Sequence, residues 1–269
     1  MAVRSPLINV MVNAVYKAAK RLVRDFGEVE QLQVSKKGPS DFVSAADLQA
    51  EKTLRYELGK ARPDFGMMME ESGESAGADK TQRWVVDPLD GTTNFLHGIP
   101  HFCISVGAER EGEPVAGVIY DPVRDELYWG EKGKGSYLND RRLRVSARRR
   151  MGEAVFATGI PFAGHGNHEQ FIRELTGVMA VSAGVRRLGA AALDLAYVAA
   201  GRYEGYWEEP INAWDMCAGI VLVREAGGYV SEIMGGHDMM RSGSVLAAND
   251  HLHLPLGKVL RDSRSRAKA

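Results

Sequence analysis

Trp84-Val85-Val86-Asp87-Pro88-Leu89-Asp90-Gly91-Thr92-Thr93-Asn94-Phe95 opens as an apolar run of strand type and closes in acids, glycine and hydroxyls. The run ends at Asp87, a proline stiffens the next step, and a second acid follows at Asp90. Two carboxylates three residues apart, on a stiff turn at the end of a buried strand, can aim at one hard cation. The Gly91-Thr92-Thr93 that follows can present bare backbone N–H groups to a phosphate at a helix start. Metal ligands beside an anion cradle point to metal-assisted phosphoryl chemistry.

Outward from this segment, the 269-residue chain is long enough for one large domain or two smaller ones sharing a core. Hydrophobic residues make up 45% and charged residues 26%, the balance of an ordinary water-soluble globular protein. The net charge of −1 supplies no bulk basic field, so direct nucleic-acid binding is not indicated. No apolar run reaches membrane-spanning length, and the N-terminus lacks the charged, apolar and small-residue order of a signal peptide. Cys103 and Cys217 both sit in apolar surroundings and read as reduced thiols of a cytoplasmic protein. Two cysteines are too few for a zinc site unless histidines help.

Ser5-Pro6 has the form of a helix cap and first helical position. Ile8, Met11, Val12, Val15, Ala18, Ala19 and Leu22 then recur at helical spacing up to Gly27. Lys36 to Asp41 reads as a polar turn, and Ala45 to about Lys60 as a second helix. Gly66-Met67-Met68-Met69 is a short apolar run delivering Glu70 and Glu71, and Gly73 to Lys80 reads as a surface loop. From Phe102 to Val145 the period changes to two, with strands at Cys103–Gly107, Val115–Tyr120, Glu126–Trp129 and Ser136–Leu138, an antiparallel meander. Lys132-Gly133-Lys134-Gly135 fits a solvated hairpin turn better than a phosphate nest. After Arg150 helices and strands alternate: strands at Glu153–Thr158, Gly205–Glu208, Tyr229–Ser231 and Ser244–Ala248, helices at His168–Met179, after Gly189-Ala190-Ala191-Ala192 through Ala200, and at Trp214–Ala226. The expected organisation is therefore an α+β half over 1–149, an α/β half over 150–262, and a small, charged, disordered tail over 263–269, with fraying from about Arg261.

Glu70, Asp87, Asp90 and Asp215 each end or follow an apolar segment. Each also has a plainer reading: Glu70 as a solvated loop acid, Asp87 and Asp90 as caps of the next helix, Asp215 as the cap of its own. Taken together they lie beside residues of buried type, with no Lys or Arg directly beside Asp87, Asp90 or Asp215. Buried carboxylates need cations or hydrogen bonds.

Asp87-Pro88-Leu89-Asp90-Gly91-Thr92-Thr93-Asn94-Phe95 resembles the first signature of the inositol monophosphatase family, and Trp214-Asp215-Met216-Cys217-Ala218-Gly219 its second, continued by Glu225 and Gly227-Gly228. Glu70-Glu71-Ser72, Asp41-Phe42-Val43-Ser44-Ala45-Ala46-Asp47, Tyr120-Asp121-Pro122 and Leu193–Arg202 resemble further family motifs in the family's order, in its bacterial branch. The resemblance implies a layered αβαβα sandwich, of the type shared with fructose-1,6-bisphosphatases, and two or three Mg²⁺ ions. In that pattern Glu70, Asp87 and the Leu89 carbonyl hold one ion. Asp87, Asp90 and Asp215 hold a second, and Glu70 contributes to a weaker third. Thr92, with Asp47 behind it, orients the attacking water, and the N–H groups of Gly91 and Thr92 hold the phosphate. Asp90, Gly189, Ala190, Ala191, Glu208 and Asp215 face the alcohol. The family usually has Ser or Thr where this chain has Ala190, so this chain lacks the hydroxyl that would hydrogen-bond the polyol there. Li⁺ sensitivity and homodimerisation are implied by the resemblance alone.

The expected activity is hydrolysis of a phosphate monoester, with inositol 1-phosphate the first candidate. Fructose 1,6-bisphosphate, histidinol phosphate and 3′-phosphoadenosine phosphate are alternatives within the same metal fold. Lys36, Lys37, Arg186 and Arg187 are the candidate cations for a second phosphate. A non-catalytic partnership with the transcription machinery in ribosomal RNA synthesis is the alternative of another class.

Overall fold

The structure, a computed structural model, describes residues 3–28, 34–38, 41–162 and 164–265, with the side chains of 34–38 and 41–43 left aside. Its elements are α1 (Pro6–Phe26), β1 (Val34–Gly38), β2 (Asp41–Ser44), α2 (Ala45–Ala61), β3 (Phe65–Met69), β4 (Gly73–Ser75), β5 (Asp79–Asp90) and α3 (Thr92–Leu96). There follow β6 (Cys103–Arg110), β7 (Glu113–Asp121), β8 (Glu126–Glu131), β9 (Gly135–Leu138), β10 (Arg141–Arg142), β11 (Val155–Thr158), α4 (His168–Met179), β12 (Gly184–Arg186) and α5 (Ala191–Ala199). The chain ends with β13 (Gly205–Glu208), α6 (Ala213–Glu225), β14 (Tyr229–Ser231), α7 (Met239–Ser242), β15 (Val245–Ala248) and α8 (His253–Ser265).

Two sheets organise the molecule. The first has eight strands in the order β10-β9-β8-β7-β6-β5-β3-β4, and the second has five in the order β12-β11-β13-β15-β14. In the first, only β3 and β5 pair in parallel. Alternate side chains of a strand face opposite sides of a sheet, and here both sides are covered. Ile104, Val106, Val118 and Trp129 join α1 and α2 in one core. Ile119 and Tyr128, from the same strands, join α5 and α6 in a second core. The second sheet shares that core through Tyr206, Val245 and Ala247. Its far face sends Phe156, Trp207 and Leu246 against Val178 of α4 and Leu256 and Leu260 of α8. The layers are thus helix, sheet, helix, sheet, helix, the αβαβα sandwich expected from the sequence.

The small residues after Asp215 set the spacing of these layers. A Cβ on Gly117 of β7 would stand 2.5 Å from the Ala218 carbonyl oxygen of α6, and one on Gly107 of β6 2.4 Å from the Cys217 sulfur. Backbone therefore lies almost directly on backbone, and α6 rests flat on the sheet with Asp215 in its first turn. We expect Gly117→Ala to destabilise the protein by about 3 kcal/mol through overpacking, lowering Tm by roughly 5–10 °C in thermal unfolding.

Several elements differ from the sequence expectation. Residues 73–75 form an edge strand and β5 already begins at Asp79, where the sequence reads as loop. That edge strand is exposed along its whole length, so it carries no apolar alternation. The polar turn at Lys36–Asp41 is part of a β1–β2 hairpin, with residues 39–40 outside the described ones. Residues 263–265, expected in a disordered tail, belong instead to α8, which runs to Ser265, and the Arg264 guanidinium Nε donates to the buried Glu174 carboxylate at 2.6 Å. Residues 266–269 lie outside the described ones. The Lys132–Gly135 turn does cradle an anion, but an internal one: Gly133 and Gly135 donate their N–H groups to the Glu225 carboxylate at 2.8 and 2.7 Å. Both cysteines are buried and unpaired. Among the described residues no helix is long and apolar enough to cross a membrane.

Candidate active site

The expected turn after Asp87 is a bulge within a continuing strand. In the β5–β6 ladder Asp87 faces Ser105, but Asp90 faces Cys103, so three steps on β5 match two on β6. An odd separation would normally send two side chains to opposite faces. The extra residue at Pro88-Leu89 cancels that, and a proline without an N–H is tolerated where the ladder is interrupted. Both acids are buried. The Leu89 N–H donates to Asp87 at 2.8 Å, fixing the bulge.

Gly91 follows in the left-handed region at φ 92° and ends β5 as α3 begins. Residues 91 and 92 therefore stand at a helix start, where the first N–H groups lack intrahelical partners. The Thr92 hydroxyl lies 2.9 Å from Asp47 Oδ1 and 3.0 Å from the Leu89 carbonyl oxygen. It has one proton and can donate to only one of them at a time. Asp47 is held in place by the capping box of α2, accepting from the Ser44 N–H at 2.9 Å and from the Ser44 hydroxyl. Burial raises the Asp47 pKa, and these hydrogen bonds pull it back.

The remaining acids arrive from other elements. Glu70 stands immediately after β3 and shares a hydrogen bond with Asp87, carboxyl to carboxyl. Asp215 is the third residue of α6, and its carboxylate accepts from the Asn212 N–H at 2.7 Å. The sequence allowed Asp215 as a helix cap; it occupies the reaching-back position of a capping box instead. Burial is the largest cause raising the pKa of Asp87, Asp90 and Asp215, and mutual repulsion adds to it. Asp90 is pushed up to about 7.

One cleft of about 470 Å³ is lined by Glu70, Asp90, Gly91, Thr92, Gly189, Ala190, Ala191, Glu208 and Asp215, all of them sequence candidates. Asp87, Leu89 and Asp47 stand behind this lining, bonded to Glu70, Thr92 or one another as described. Of the candidate cations for a second phosphate, Arg187 lines the cleft and Arg186 does not. The side chains of Lys36 and Lys37 lie outside the described ones.

The structure also shows what links the two sheets' contributions. The Ala192 N–H donates to Asp90 at 2.7 Å, so the start of α5 hangs on the metal-type acid. The Asn94 amide donates to the carbonyl oxygens of His101 and Leu188 at 2.8 Å each, holding the 188–189 corner over the cleft. Asn94 is part of the quoted motif, but its role depends on a contact 94 residues away that no local pattern reveals. Burial raises the Glu208 pKa, while hydrogen bonds from the Tyr206 hydroxyl and the Gly159 N–H lower it. Asp194 and Arg187 complete the wall on the same side; in the sequence Asp194 stands only as part of the Leu193–Arg202 motif.

The donor set suits a hard cation: carboxylates and a backbone carbonyl, buried and mutually repelling. No Lys or Arg forms an ion pair with Asp87, Asp90 or Asp215 among the described residues, whereas most other buried acids have one, such as Asp121 with Arg124 and Glu204 with Arg148. Among those residues no three acids stand close enough around one point to form a finished cage. The chemistry fits a divalent ion, and drawing the repelling carboxylates together is what such an ion must do on binding.

The family comparison agrees with this geometry. The sequence profile described as the inositol monophosphatase family matches residues 3–265. An inositol-1-monophosphatase of Rhizobium meliloti (strain 1021) is 56% identical, covering 96% of this chain and 97% of its own length. The Nus factor SuhB of Escherichia coli (strain K12) is 40% identical over 97% of this chain and 98% of its own. The solved structure of the extragenic suppressor protein suhB from Bartonella henselae superposes with a TM-score of 0.93 at 55% identity, covering 96% of this chain and 99% of that one.

Proposed function

Because the chain belongs to the inositol monophosphatase family, we propose that it is a Mg²⁺-dependent phosphatase hydrolysing the monoester of a polyol, with inositol 1-phosphate its best substrate. The observation that carries this reading is the convergence of Glu70, Asp90 and Asp215 with the Gly91–Thr92 helix start in one cleft, Asp87 directly behind.

In this reading Glu70, Asp87 and the Leu89 carbonyl hold one Mg²⁺, and Asp87, Asp90 and Asp215 a second. Bound there, the ions supply Lewis acidity and neutralise charge on the phosphoryl oxygens and the leaving alcohol. The chain's own groups do the positioning. Gly91 and Thr92 offer N–H groups to the phosphate. Thr92, braced by Asp47, accepts a hydrogen bond from the attacking water while donating its own proton to the carboxylate. Through its bond to Ala192, Asp90 keeps the alcohol side at a fixed distance from the phosphate side. Glu208 and the Gly189–Ala191 corner meet the alcohol. The division of labour between 1–149, which carries most metal and phosphate groups, and 150–262, which carries most alcohol-side groups, belongs to the same proposal.

The test is turnover of inositol 1-phosphate, fructose 1,6-bisphosphate, histidinol phosphate and 3′-phosphoadenosine phosphate with Mg²⁺ titrated from zero. We expect inositol 1-phosphate to give the highest kcat/KM and no turnover without divalent ion. Were inositol 1-phosphate the poorest of the four, the substrate assignment would fall, and metal-free turnover would sink the mechanism. The 40% identity to a Nus factor also supports a role as a protein partner of the transcription machinery, separate from catalysis. With a net charge of −1 that role is protein-mediated rather than direct nucleic-acid binding. A phosphatase-dead chain that restores ribosomal RNA synthesis in a deletion strain is its expected result.

A further inference from the structure

Asp194 is a buried acid that no hydrogen bond or ion pair among the described residues explains. It is 1% exposed, yet it borders the cleft. Its Oδ1 has no hydrogen-bond partner among the described residues. Burial raises its pKa, and the nearby charges are Glu208 and Asp90, which raise it further, and Arg187, which lowers it. A buried carboxyl left without a partner is costly and normally absent from a protein interior. The other two acids of this wall are satisfied from within: Asp90 by Ala192, Glu208 by Tyr206 and Gly159. Of these three acids Asp194 alone keeps a buried oxygen without a partner among the described residues.

Its place on α5 shows what that capacity is for. The helix start at Ala190 has no side-chain cap, and Ala190, Ala191 and Ala192 present methyl groups only. Asp194 lies four residues beyond Ala190, on the same helix face one turn deeper. It is therefore the first polar side chain of α5 that a group entering past Ala190 can reach.

We propose that Asp194 is a specificity-determining residue: it hydrogen-bonds a hydroxyl of the substrate's alcohol part in place of a hydroxyl at position 190, and with Glu208 it selects a neutral polyol over an alcohol carrying a second phosphate. This inference rests on the phosphatase reading above. Arg187, exposed and without an ion pair, is the one Lys or Arg among the described residues that lines the cleft. It faces two acids on this wall, too few positive charges to accommodate a second phosphate against them.

The test is Asp194→Asn, which keeps the shape and removes the charge, assayed on inositol 1-phosphate and fructose 1,6-bisphosphate beside thermal unfolding. A hydrogen bond to a charged group is worth about tenfold or more in affinity. We expect KM for inositol 1-phosphate to rise about tenfold, with a smaller change in kcat. The kcat/KM ratio between the two substrates should shift at least about tenfold toward the bisphosphate. Tm should rise, because an unpaired buried carboxyl is gone. Adding Ala190→Ser to that variant should recover part of the inositol 1-phosphate affinity by returning a hydroxyl one turn earlier. A merely structural Asp194 would instead give a lower Tm and equal losses on both substrates, and that result overturns the inference. Asp194→Ser serves the same comparison should the asparagine form not fold. If the wild-type chain hydrolyses neither substrate, the phosphatase reading itself fails and takes this inference with it. If it cleaves inositol 1-phosphate but the variant's substrate ratio is unchanged, the inference fails alone.

Discussion

Replacing Asp87 by Asn should lower kcat/KM for inositol 1-phosphate by at least about a thousandfold, or about 4 kcal/mol of transition-state stabilisation. The size of the effect follows from position. Asp87 is the acid that the proposal assigns to both ions, it shares a hydrogen bond with Glu70, and its carboxylate also accepts the Leu89 N–H that fixes the bulge. An amide keeps the volume and the acceptor for Leu89, but loses the charge that would hold two cations. The same substitution should raise the Tm of the metal-free protein. It removes one of a set of buried carboxylates that repel one another, in a place where no Lys or Arg compensates. The diagnostic result is therefore a pair: phosphate release lost, and metal-free thermal stability gained. Loss of activity together with a lower Tm would mean that Asp87 serves mainly to hold the bulge. Retained activity would remove it from the metal site.

This opposition between stability and activity also explains which parts of the site can be read from sequence. Glu70, Asp87, Asp90 and Asp215 are conspicuous because each interrupts or ends an apolar run, and buried-type neighbours make an acid incongruous. The meander from Cys103 to Leu138 is equally plain, since its strands alternate with period two and its turns carry glycine and asparagine. What escapes local reading is whatever depends on register or on distant partners. The extra residue at Pro88-Leu89 exists only relative to β6, so two acids that seem bound for opposite faces end up on one. Asp90 bonds to Ala192 across 102 residues of sequence. Asn94 reads as one polar residue among several, although it ties together two loops. Asp194 is hidden differently. Ala191–Ala199 is apolar on nearly every side, and a lone acid there resembles a helix residue turned to solvent, whereas the packing of α5 between two sheets leaves it no solvent to face. The C-terminal helix was missed because Arg and Ser dominate its end. Leu256 and Leu260 nonetheless carry its packing, and Arg264 at its end meets the buried Glu174 of α4.

Removing Mg²⁺ should expose these repulsions as an unusual pH dependence of stability. Asp90 is raised to about 7, and Asp87 and Asp215 are raised as well, first by burial and then by each other and by Glu70. An unfolded carboxylate titrates near 4, at about 3.9 for Asp. Between those limits the folded, metal-free chain binds more protons than the unfolded one. The contribution of these acids is therefore fully present below about pH 4 and is lost as pH rises through about 7. His101 works the other way: burial holds its pKa down at about 4, so its contribution grows as pH rises from about 4 to about 6.5. His253, lowered by burial, acts in the same sense as His101. Neither histidine belongs to the proposed metal site, so both contribute equally with and without the ion. The informative quantity is the difference in Tm between saturating Mg²⁺ and EDTA. Protons and Mg²⁺ compete for the same carboxylates, and a ligand that binds only the folded state stabilises it in proportion to the logarithm of one plus its concentration over its Kd. The Tm difference should be small near pH 5 and widen steadily to pH 7.5, by a few kcal/mol in stability. Asp87→Asn should flatten that rise, because one competing carboxylate is gone. A Tm difference that is the same at every pH would show that Mg²⁺ does not bind at this cluster, and a difference that narrows with rising pH would contradict the assignment of Asp90 as a ligand.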